Sequence, residues 1–162
     1  MPFARPVVCT RVARMKTPLL IVVFAATSIF SAEPGDSEYR RHQEAARAAG
    51  SSGELIQARN EWRAALRLAR RPSSRIEALA GLGRVSRSLE AFDDAFAAFE
   101  KILKIAPTEV LAAFEIGRTA SVCRCRTERG GGALMRYLMA TPVGDMPTRE
   151  EAEKLLAELA SP

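Results

Sequence analysis

Two cysteines in Cys123-Arg-Cys125 form the tightest cluster of reactive side chains in this 162-residue chain. Arg124 and Arg126 flank the thiols, and neighbouring cations lower a thiol pKa and favour the nucleophilic thiolate. An oxidising compartment would close the pair into a small-ring disulfide. The alternative is two incidental residues at a helix end or in a loop. Zinc sites usually take two such pairs, so no metal is expected. His42 is the single histidine; next to Arg40 and Arg41 it reads as a solvated surface residue, not a general base. Asp93-Asp94 and Glu150-Glu151 fall where helices are expected to begin, and the helix dipole accounts for acids there without catalysis. Gly130-Gly131-Gly132 is followed by no Lys-Ser or Lys-Thr, so it is not a phosphate loop; it is expected to give slack to a turn between helices. There is no Gly-x-Ser-x-Gly elbow. Without an acid/base constellation, the expectation is a non-catalytic protein with no cofactor.

Charge points to nucleic acid only until its position is considered. The chain carries 24 Lys+Arg against 19 Asp+Glu, a net charge of +5. Arg5, Arg11, Arg14 and Lys16 precede an apolar run, 18–30, that ends in Ser31 and Ala32. A membrane-spanning helix needs about 20 apolar residues. A positive segment, a shorter apolar stretch and small residues at the cut describe a secretory signal peptide over 1–32, with Met15 as a plausible true start. Export, to the periplasm of a Gram-negative bacterium, is the expected localisation. A retained leader would instead make an inner-membrane anchor, the only membrane contact foreseen. Cys9 lies in this leader. From residue 33 onward, 20 basic residues face all 19 acids, a net charge of about +1, and the electrostatic case for nucleic acid disappears. At 48% hydrophobic and 27% charged the chain is not a disordered polar tail, and three cysteines are too few for a disulfide scaffold.

The remaining sequence has the apolar period of helices. In residues 53–68, Leu55, Ala58, Trp62, Ala65 and Leu66 recur at three- and four-residue steps; in residues 90–107, Phe92, Ala95, Phe99, Ile102 and Leu103 do the same. Such spacings trace one face of an α-helix. The shared Ala at the same point suggests a close helix crossing. Ser51-x-x-Glu54, Ser74-x-x-Glu77 and Thr148-x-x-Glu151 have the form of capping boxes, Gly50 can terminate a helix, and Pro107 and Pro142 stop two others. No segment alternates long enough for a strand.

Twelve residues separate Gly83 from Ala95 and twelve more separate Ala95 from Pro107. With Leu79, Leu82, Phe92 and Phe99, this pattern resembles the tetratricopeptide repeat of about 34 residues. Glu90 stands where that signature has a glycine between its helices, and Ser86 where it has a second aromatic. Residues 39–72 resemble a weaker copy, with Pro72 two residues late. Residues 110–146 resemble a third, in which Ala133 and Tyr137 match the second helix after about four inserted residues. Residues 147–160 add a capping helix, and 33–38 a linker. The resemblance implies an all-α solenoid of about three antiparallel helix hairpins over 39–162, held by Trp62, Leu79, Leu82, Phe92, Phe96, Phe99 and Tyr137. It also implies a concave groove lined by the first helix of each unit. Its register puts Arg47, Arg84 and Arg118 in one column of that groove, with Arg40 and Arg87 nearby. Guanidinium groups grip carboxylates bidentately, so the expected partner is a protein or peptide, an acidic one suiting the column best. Alternatively these arginines pair internally with Glu44, Glu77 or Glu115. The function expected is an exported scaffold. A membrane-anchored envelope assembly factor and a thiol redox accessory using Cys123 and Cys125 are the other readings.

Overall fold

The structure, a computed structural model, describes residues 34–140 and 145–161. The expected leader, with Cys9 and Met15, and Pro142 lie outside them. The described residues belong to the unit Ala32–Pro162 and form seven helices with no strand among them. These are α1 (Pro34–Ser51), α2 (Leu55–Leu68), α3 (Pro72–Ser88), α4 (Phe92–Ile105), α5 (Val110–Cys123), α6 (Thr127–Met139) and α7 (Arg149–Ala160). They pack in antiparallel pairs, α1 with α2, α3 with α4 and α5 with α6; each pair also packs on the next, and α7 rests on α6 and α5. The all-α array of three hairpins and a closing helix is therefore as the sequence leads one to expect.

Small and large residues alternate through the core at matching points. Ala58 and Ala95, the shared alanines, are fully buried. A Cβ on Gly81 would lie 2.2 Å from the Trp62 indole, one on Gly83 2.6 Å from the Phe99 ring, and one on Gly117 2.2 Å from Leu134 Cγ. The first helix of a unit is thus notched to receive the large side chain of a second helix. Tyr137, Phe96 and Phe99 are fully buried and Leu79 and Trp62 nearly so, while Leu82 and Phe92 are only half-buried. Beneath α7, Phe114, Leu134, Tyr137 and Ala152 make a separate apolar cluster.

All three hairpins turn in the same way. Gly53, Glu90 and Arg124 have φ of 78°, 57° and 49°, the left-handed region that glycine enters most easily. Each turn carries the same two backbone bonds. The left-handed residue donates to the carbonyl three before it (Gly50, Arg87, Ser121), and its successor to the carbonyl five before (Ala49, Ser86, Ala120). Glu90 and Arg124 thus adopt the backbone that Gly53 adopts in the first turn.

Several expectations are corrected. Residues 34–38 are not linker: helix α1 begins at Pro34, whose fixed φ suits a first helical position, with Asp36 favourably placed in the first turn. Pro72 opens α3 instead of ending the unit before it. Helix α1 runs through Gly50 to Ser51, and its chain reverses at Gly53. Of the three capping boxes, Thr148 accepts from the Glu151 N–H at 3.1 Å. Ser51 lies at the end of α1 and Ser74 inside α3; the N-caps of α2 and α3 are Glu54 and Arg71, without a side-chain cap bond.

The largest correction concerns the glycine triplet. Gly130, Gly131 and Gly132 lie inside α6. A Cβ on Gly130 would come within 2.3 Å of Ala120 Cβ, so this glycine permits α5 and α6 to touch. Gly130 is the counterpart of Ala58 and Ala95, and Leu134 that of Phe99. The left-handed residue precedes its small residue by five positions in the first two hairpins and by six in the third. One residue is inserted, not four. Arg126, a second left-handed residue with φ 51°, lies in that stretch and absorbs it.

Candidate interaction surface

Of the arginines expected to form a column, Arg40 and Arg47 lie on α1, Arg84 and Arg87 on α3 and Arg118 on α5, and Arg47 and Arg87 are used in ion pairs between these helices. Arg40 and Arg47 are two turns apart on α1. Glu77, Arg84 and Arg87 follow at seven- and three-residue steps on α3, and Glu115 and Arg118 at a three-residue step on α5. Arg47 pairs with Glu77 at 2.5 Å and so ties α1 to α3. Arg87 pairs with Glu115 and lies 3.4 Å from the Thr119 hydroxyl, tying α3 to α5. The next step, α5 to α7, is made by the Ser121 hydroxyl donating to Glu158 at 2.6 Å. Successive first helices are therefore joined by a polar link at each crossing.

These links differ in environment. The side chains of Arg87 and Glu115 are only 12% and 8% exposed. Such a pair is out of reach of a docking peptide, and neither partner can leave without stranding a charge. Arg47 remains 62% exposed and is held against a small network. The Tyr39 hydroxyl, at 3.1 Å from both the Ser74 carbonyl and Glu77 Oε2, donates into that network. Burial first, then the Glu77 carboxylate, pushes the Tyr39 phenol up to about 12, against a smaller opposing pull from Arg47.

Arg40, Arg84 and Arg118 are exposed, and no ion pair joins any of them to a described residue. Arg84 borders a recess of about 160 Å³ between α3 and α5. Its walls are Ile76, Ala80, Leu111 and Ala112, its deeper lining Phe99 and Ile102, and Glu109 and Glu115 complete it. Of the proposed internal partners, Glu77 and Glu115 are used; Glu44 is exposed.

The remaining candidates are placed as follows. His42 bonds to Glu61 of α2 at 2.6 Å, half-buried within the first hairpin. Asp93 pairs with Arg126 at 2.7 Å, Asp94 with Arg63 at 3.7 Å, and Glu150 has its carboxyl lowered by a bond to its own backbone and by Thr148. These acids have structural partners. Cys123 and Cys125 form a disulfide across the third turn. Among the described residues no group of His, Cys, Asp and Glu is arranged to hold a metal ion, and no helix is long and apolar enough to cross a membrane.

Sequence reasoning named Arg126 only as a neighbour of the thiols and missed its role in the packing of the turn. Its guanidinium lies 4.7 Å from the Phe96 ring centroid as well as against Asp93, which pins the third turn to α4. A cation at a turn has no periodic signature, and only the packed array reveals it. No protein-family model matches the chain, and no curated protein matches it.

Proposed function

We propose that the chain is a non-catalytic, tetratricopeptide-like scaffold that is exported and holds a protein segment on the α1/α3/α5 face. The guest is acidic, with an apolar side chain seated between α3 and α5. The observation that carries this reading is Arg84: it is exposed, free of any described ion pair, and beside an apolar recess. Arg118 and Arg40 extend the same basic face. Arg47 contributes through its exposed flank, and Arg87 acts as a strut for the surface. Electrostatic complementarity would then set recognition and association rate more than raw affinity.

Export is supported by the leader composition and by the Cys123–Cys125 disulfide, since such bonds persist in oxidising compartments. The decisive experiment is affinity capture from cell envelopes with the wild-type chain and with an Arg84→Glu/Arg118→Glu double variant. Acidic partners are expected with the first and lost with the second. An unchanged set of partners would contradict the reading.

A further inference from the structure

The Cys123–Cys125 disulfide bridges the two residues that flank the left-handed Arg124. The corresponding pairs in the other hairpins are Ser52/Glu54 and Leu89/Ala91. Those two turns have the same left-handed residue and the same two backbone hydrogen bonds without any cross-link. The fold therefore does not need this disulfide to reverse the chain. Nor does so short a ring restrict the unfolded chain much, because the entropy a cross-link removes grows with the loop it closes. The third turn is also held independently by Arg126, against Asp93 and Phe96, and by the contact of Gly130 with Ala120. A bond that closes no large loop and shapes no unique turn is poorly explained as a staple.

Its surroundings suit exchange. Both cysteines are half-buried, neither sealed in the core nor fully exposed. Arg124 sits between them, exposed, on the border of an open cavity of about 570 Å³ with Ser121, Thr127 and Glu158. A cation beside a leaving sulfur favours the thiolate and speeds its departure.

We infer that Cys123–Cys125 is a thiol–disulfide exchange site that takes electrons from a dithiol while the helical array stays folded. A thiolate of the dithiol attacks one sulfur, the Cys123–Cys125 bond breaks, and a mixed disulfide forms as the other cysteine leaves as a thiolate. The second thiolate of the dithiol then displaces the first cysteine. The dithiol is oxidised to its disulfide, and the two cysteines are reduced, with two electrons and two protons transferred. This inference is independent of the groove.

The test equilibrates the purified full chain in glutathione buffers of graded ratio, traps free thiols by alkylation, and reads the mass shift beside the helical signal. Dithiothreitol, a simple dithiol, supplies the rate measurement. Half-reduction is expected within the range of the glutathione buffers, with helicity unchanged and the melting midpoint lowered by less than about 4 °C. An Arg124→Gln variant should keep the fold and react with dithiothreitol at least about threefold more slowly. A disulfide that stays oxidised in millimolar reduced glutathione would overturn the proposal, because structural disulfides resist that pool. So would reduction accompanied by loss of helix, which would make the bond a staple, or an Arg124→Gln rate equal to the wild type.

Discussion

At the residue scale, the fold rests on where a side chain is missing. Three adjacent glycines in α6 do different work. Gly130 lies where a methyl would meet Ala120 Cβ, an atom that cannot move without its backbone, whereas a methyl on Gly132 would meet nothing within 4 Å. Gly130→Ala should therefore lower stability by about 1–3 kcal/mol through overpacking. Gly132→Ala should raise it by about 0.5–1 kcal/mol by helix propensity. Denaturant melts of the two variants check both signs. Tyr39 gives a second prediction at this scale. The fold holds its phenol in the neutral form and raises its pKa to about 12. Its contribution is then fully present below the unfolded value, near pH 10, and is lost as pH rises towards the folded one. Tyr39→Phe should lessen the alkaline fall in melting midpoint between about pH 10 and 12, and the difference in phenolate absorbance between wild type and variant should show the late ionisation of Tyr39, Tyr137 being raised by burial as well.

At the element scale, the first helices of the hairpins are joined by charge as well as apolar packing. Arg87 and Glu115 are so little exposed that Glu115→Ala should cost about 3–5 kcal/mol by stranding a buried guanidinium. Replacing both with apolar residues of similar volume, Arg87→Met with Glu115→Leu, should recover most of that loss. Chemical denaturation of the single and double variants decides it. Elements are also where the sequence was most and least readable. Ala58 and Trp62 in α2 and Ala95 and Phe99 in α4 repeat the same four-residue step because the same face of each helix is buried, so the hairpins and their order were legible. The third turn was misread because a glycine triplet carries two opposite meanings in a linear sequence, loop slack or close helix contact. Only the neighbour, Ala120, distinguishes them. Sequence spacing could not tell Arg87, paired with Glu115, from Arg84, which makes no ion pair with a described residue, because their difference depends on contacts between helices.

At the scale of the whole unit, three hairpins and a closing helix leave Arg40, Arg84 and Arg118 exposed and without an ion pair to a described residue. In the proposed function, Arg84 and Arg118 recognise an acidic segment next to the recess between α3 and α5. The most direct measurement is a calorimetric titration with a synthetic peptide that ends in a free carboxylate, carries several glutamates and contains a single leucine. Binding is expected to weaken as salt rises and to weaken more than tenfold in Arg84→Glu/Arg118→Glu, as loss of charged hydrogen bonds implies. Replacing the leucine with serine should weaken it further. No heat of binding at any salt concentration, or equal affinity for the charge-reversed chain, would contradict the account.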